Sequence, residues 1–137
     1  MEWTDRLAPD LADLERLAEE SFARLPEAFR ALAAQPVIRV DDFPTDEVLA
    51  ELGAESEFDL LGLFTGVGMA HADAVPRTGQ MPNVIHLYRR PILDYWAEHE
   101  EKLGAIVTHV LVHEIGHHFG LSDDDIEAIE AAAAAEA

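Results

Sequence analysis

The stretch from Leu103 to Phe119 is apolar around nearly its whole circumference, with Ile106, Val107, Val110, Leu111, Val112 and Ile115 leaving no continuous polar face. A helix of that kind runs through the middle of its domain. Yet it carries His113, Glu114 and His117 in the order H-E-x-x-H. Burying two imidazoles and a carboxylate without partners is costly, so the pattern demands something that engages them. In an α-helix, residues four apart stand one above the other, about 40° apart around the axis. His113 and His117 can therefore offer two nitrogens to one point, as cis ligands of a tetrahedral zinc ion require. Glu114 lies one residue round from His113, within reach of a water on such an ion but poorly placed to be a ligand. It is the expected general base.

The run continues to Gly120 and Asp123, so the full string reads H-E-x-x-H-x-x-G-x-x-D. Gly120 can take the left-handed conformation that ends a helix, letting the chain fold back toward the histidines. A carboxylate oxygen is an acceptable third zinc ligand, and Asp123 is the expected one. Asp124, Glu127 and Glu130 remain alternatives. Ser122 is also suited to cap a last helix whose positive end Asp123, Asp124 and Asp125 would favour. The two roles are compatible, because a residue at a helix start can face an ion.

The string resembles that of the zincin metallopeptidases, and its glycine with a following acid is similar to the metzincin pattern with Asp in place of the last His. Leu60 to Val67, Pro82 to Ile92 and Gly120 to Asp123 further resemble the small bacterial mini-zincins, a likeness that runs along most of the chain. The resemblance implies a minimal α+β scaffold: a small mixed sheet packed with helices, the metal-binding helix lying near the C-terminus. It also implies zinc as cofactor, His113, His117 and Asp123 as ligands, and Glu114 as the base that activates water against a peptide bond. The sequence departs from metzincins in having no Met after Asp123, so their methionine turn is not expected.

About half of the 137 residues are apolar, which suits one compact domain over residues 1–137 with room for one core. No cysteine is present, excluding disulfides and thiolate ligands and fitting a reducing cytoplasm. Met1 to Arg6 opens an acidic amphipathic segment rather than a signal sequence, and no apolar run approaches a membrane span. A formal charge of −19 repels phosphates, and Arg89-Arg90 is the only adjacent basic pair, so nucleic acid is not an expected partner. The expected partner is a peptide or protein substrate.

Along the chain, apolar residues recurring every three or four predict a helix from Ala8 to Ala34, or two broken at Pro26. Pro36 to Val40 reads as a first strand and Thr45 to Leu52 as a capped helix ended by Gly53. Leu60 to Phe64, wholly apolar, reads as a central strand. Gly66 to Pro82 is long and broken by Gly and Pro, the composition of a mobile loop bordering a cleft. Asn83 to Tyr88 reads as the next strand, followed by a helix starting near Pro91, a break around Glu100 to Leu103, the metal helix, and an alanine-rich tail that frays after Glu130.

The resemblance implies that substrate adds as a strand to a sheet edge above the metal, and Asn83 to Tyr88 is the strand assigned that edge. His86 or Tyr88 would then reach the cleft and help an oxyanion. His109, four residues before His113, is expected as packing or as support to the ligands. His118 should point away from His113, half-exposed, and His71 and His99 should lie at the surface. The function expected is zinc-dependent peptide hydrolysis. The alternative is a peptide-binding or regulatory module whose metal is structural or vestigial.

Overall fold

A computed structural model describes residues 3–66 and 82–136; His71 and all but the ends of the connection from Gly66 to Pro82 lie outside the described residues. Within them are six helices and three strands, an α+β arrangement. Asp10 opens α1 (Leu11–Ala23) with a reciprocal cap, its carboxylate accepting from the Asp13 N–H at 2.8 Å while Asp13 accepts from the Asp10 N–H at 3.0 Å. Pro26 separates α1 from α2 (Glu27–Ala33), so the first helical segment is two helices. Asn83 Nδ2 donates to the Ala33 carbonyl at 2.8 Å, and the Asn83 carbonyl accepts from the Val37 N–H at the same distance. One residue thereby ties the end of α2 to the start of the sheet.

β1 (Val37–Asp41) is followed by α3 (Asp46–Leu52), which Thr45 caps at its start and Gly53 ends at φ 66°. β2 (Gly62–Thr65) and β3 (Val84–Tyr88) complete a mixed sheet of order β1-β3-β2. β1 runs parallel to β3, Val37 opposite Val84, and β2 runs antiparallel to it, Gly62 opposite Leu87.

This order corrects two expectations. β3, expected at an edge, is the central strand, and β2, expected at the centre, is an edge strand among the described residues. The apolar character of Leu60 to Phe64 comes from helical cover: Gly62 and Phe64 are buried under a helix, Leu63 is half-buried and Thr65 is exposed. β3 hides its central position by alternation, with Ile85 and Leu87 fully buried on one face and His86 half-buried on the other.

The helix after β3, α4 (Arg89–Glu98), begins two residues before Pro91, directly from the strand. After a break comes α5 (Leu103–His118), whose core face is packed by Ile106, Val107, Leu111 and Ile115. α1 lies on β1, α5 on β2 and β3, and the two helices pack on each other, giving one helical layer on the sheet. α5 ends in a Schellman turn: Leu121 N–H bonds the Gly116 carbonyl at 2.9 Å, Gly120 N–H bonds the His117 carbonyl at 3.1 Å, and Gly120 sits at φ 79°.

α6 (Asp123–Glu136) then packs back against α5. Its helix continues through the alanine run expected to fray, because alanine is the strongest helix former and Ala133, 6% exposed, is part of the core. Among the described residues no helix is long and apolar enough to cross a membrane.

Candidate metal centre

α5 stacks His109, His113 and His117 on three successive turns, ring centroids 4.4 Å and 4.7 Å apart. This follows from the four-residue spacing and from neighbouring positions that bury the other faces of the helix. The Schellman turn reverses the chain at once, and Ser122 caps α6: its Oγ accepts from the Asp125 N–H at 3.1 Å. Asp123, the first residue of α6, is thus set beside the end of the histidine row, its Oδ1 3.4 Å from His117 Nε2. His117 thus meets Asp123 on one side, and the ring of half-buried His113 stands one turn above it. Asp124 and Glu127 are exposed, and Glu130 lies further up, beside His109. Among the described residues no three ligand-type side chains already converge on one point.

Electrostatics separate the members of this row. Burial, with the neighbouring His109 and His117, lowers the pKa of His113, keeping its imidazole neutral and its lone pair available to lower pH than usual. Burial raises the pKa of Glu114, against the pull of His117 and His109 in the other direction. Glu114 also raises the pKa of the buried Tyr88 phenol, after burial itself and Asp41.

Glu114 and His113 line a cavity of about 300 Å³ whose opposite wall is Leu60, Leu61 and Gly62, leading into the edge strand β2. Gly62 shapes this cavity, a position that no motif in the sequence marks. A Cβ built there would fall 2.5 Å from Val110 Cγ1 and 3.0 Å from the His86 carbonyl, so the edge strand meets α5 at this distance only as glycine. An isolated glycine between apolar residues is the signal that marks such an approach.

The remaining histidines divide by the parity of the strands. Gly62 faces α5 and pairs with Leu87, so His86, one residue along, belongs to the opposite face; there its Nε2 is 3.4 Å from Thr65 Oγ1. His86 therefore does not serve the cleft, correcting the role that an edge position for β3 would have given it. His118, half-buried, packs its ring 4.6 Å from that of Phe64 and holds the end of α5 against β2. His99 is exposed and stacks on Tyr95 at 3.8 Å.

His109 pairs with Glu130 of α6, Nδ1 to Oε1 at 2.7 Å. The sequence held a signal for this pairing, since Asp123 and Glu130 lie two turns apart on α6 as His117 and His109 do on α5.

A helix-borne His-Glu-x-x-His row beneath the edge of a small mixed sheet is the framework of a zincin-like protein. The pattern of the zincin-like metallopeptidase family matches residues 33–133, and the chain belongs to that family. No curated protein matches it.

Proposed function

We propose that this protein is a zinc-dependent peptidase in which His113, His117 and Asp123 hold the metal and Glu114 is the general base. The observation that carries the reading is the placement of two stacked imidazoles and a carboxylate at one helix end, with Glu114 turned into the cavity beneath β2. Two nitrogens and one oxygen form a donor set that suits zinc and leaves a position open for catalysis. When bound, zinc supplies the Lewis acidity that makes water nucleophilic near neutral pH.

The other steps belong to the chain. Burial of His113 keeps its imidazole neutral and ready to ligate. The raised pKa of Glu114 makes it a stronger base than an ordinary carboxylate, suited to take the water's proton and return it to the leaving amine. β2 offers the sheet edge beside this cavity, where an extended peptide can add as a strand through main-chain hydrogen bonds. Residues 1–137 act as one domain, and the cysteine-free chain suits the reducing cytoplasm.

The second reading, a peptide-binding module on the same scaffold, is favoured by one observation: no three ligand-type side chains among the described residues are already converged. Glu114→Gln separates the two readings. The substitution is nearly isosteric, so zinc binding and fold should persist, while cleavage of a diverse peptide library falls on the order of a hundredfold to ten-thousandfold. Equal cleavage by both proteins removes Glu114 as base. Binding of peptides by both without cleavage establishes the module.

A further inference from the structure

The cavity of about 300 Å³ that Glu114 and His113 line is also bordered by two carboxylates with no part in the reaction, Asp59 and Glu101. Its apolar walls are Leu60, Leu61, Ile106 and Val110. Asp59 and Glu101 are exposed, so a charge that meets them there keeps one side in water.

Each of these carboxylates is held by uncharged donors. Asp59 Oδ2 accepts from the N–H groups of Glu55 and Ser56, at 3.2 Å and 3.0 Å, and Glu101 Oε2 accepts from the Tyr95 hydroxyl at 3.1 Å. Neither forms an ion pair among the described residues, and no described lysine or arginine lines the cavity. The acidity of the whole chain does not account for this. The larger cavity between α1, α5 and α6, about 670 Å³, has Arg24 and Lys102 in its wall beside its acids. Lys102 follows Glu101 directly, yet it borders that other cavity and not this one.

Apolar walls with uncompensated negative charge suit a side chain whose long methylene stem ends in a cation, because the stem is buried while the head stays in water. The volume is at the lower limit for small-ligand cavities, room for one side chain. Gly62 of the edge strand lines the same space, so a peptide added to β2 lies beside it.

We propose that this cavity is a specificity subsite for a lysine or arginine side chain of the peptide, next to the bond that is cut. The stem lies against Leu60, Leu61, Ile106 and Val110, and the cationic head is held by Asp59 and Glu101. The proposal rests on the peptidase reading for the position of the bond, since Glu114 and His113 share the cavity. The preference for a cation needs only that a peptide binds along β2.

The test uses the full zinc-loaded chain and one peptide scaffold, scanned position by position with lysine, arginine, norleucine and glutamate. Norleucine keeps the stem of lysine without its charge. Cleavage is read as kcat/KM and binding as Kd, in parallel. One position should favour lysine and arginine over norleucine on the order of tenfold, since exposed ion pairs are worth up to about fivefold each. Glutamate should be the poorest there. Asp59→Asn and Glu101→Gln keep the hydrogen bonds of the originals without their charge. Each should lower the lysine-to-norleucine ratio about two- to fivefold, and the two together should bring it to about one. Added salt should shrink the ratio in the wild type.

Cleavage with no position that favours lysine or arginine overturns the subsite and leaves the peptidase standing. So does a preference that survives both substitutions, or a loss that strikes lysine and norleucine peptides alike, because carboxylates that only support the fold do not discriminate between them. The same preference in binding, without any cleavage, keeps the cationic subsite on a binding module and removes the peptidase. Peptides neither cut nor bound overturn both.

Discussion

Gly116 and Ile126 touch across the α5–α6 turn so closely that a Cβ built on Gly116 falls 2.8 Å from Ile126 Cγ1. Ile126 is 2% exposed and has nowhere to go. The second x of H-E-x-x-H is therefore small for a reason outside metal chemistry: it lets α6 lie against α5 and deliver its first residue to His117. Gly116→Val should destabilise the protein by about 1–3 kcal/mol through overpacking, and should lower zinc affinity because α6 is pushed off its seat. Thermal melts with and without chelator measure both. Unchanged zinc affinity in a destabilised protein would detach Asp123 from the centre.

Ser122 acts on the same geometry from the other side of the turn. Its hydroxyl accepts from the Asp125 N–H at 3.1 Å, while Asp125 Oδ2 lies 3.4 Å from the Ser122 N–H. Ser122→Ala should cost about 1 kcal/mol of stability, the usual worth of a helix cap. Hydrogen exchange should show the first turn of α6 losing protection before the rest of that helix, and even loss along all of α6 would contradict a local cap.

Gly62→Ala tests the wall of the cleft. Val110 is 4% exposed and the His86 carbonyl belongs to the central strand, so neither yields easily to a new methyl. We expect a loss of about 1–3 kcal/mol and a cavity altered beside Glu114. Peptide turnover should fall more than zinc affinity, because the displaced element is β2. Zinc loss equal to the loss of turnover would show that the strand supports the ligands.

The candidate centre rests on local spacing, the sheet on distant pairing. His113, Glu114 and His117 lie on α5 and Asp123 opens α6 just past the Gly120 turn, so helix periodicity and the freedom of Gly120 dictate their relation. The strand order depends on pairing between distant segments, Val37 with Val84 and Gly62 with Leu87, and a short apolar run cannot tell a neighbouring strand from a covering helix. That is why β2 and β3 stand in each other's expected places, and why His86, expected to reach the cleft from an edge strand, lies on the central strand facing away from α5. The tail after Glu130 misled for a different cause: alanines without a periodic apolar stripe look unpacked, but Ala133 is small enough to sit in the core.

His86 gives the metal-free protein a pH dependence. Burial lowers its pKa first, Arg39 lowers it further, and Asp41 partly opposes. Where a histidine's folded pKa lies below its unfolded value, the unfolded chain binds more protons between the two, so stability rises with pH across that window. Stability should therefore fall as pH drops below ~6.5, the ordinary imidazole value. His113 adds a slope of the same sign, while the raised pKa of Glu114 adds one of opposite sign. The His86→Gln difference isolates one contribution: with chelator present, the variant should lose less stability than the wild type on acidification. A larger loss would mean that His86 gains from being charged.

The Schellman turn at Gly120 joins α5 to α6 with almost no intervening chain, and this sets an order of assembly. Bringing Asp123 to His117 closes a very short loop, whereas laying β3 between β1 and β2 requires segments from both ends of a long connection to meet. Short loop closure favours the helical hairpin forming while the sheet is still searching for its register. On the proposed function, a chain still folding would then take up its metal before the edge strand β2 is in place to grip a peptide.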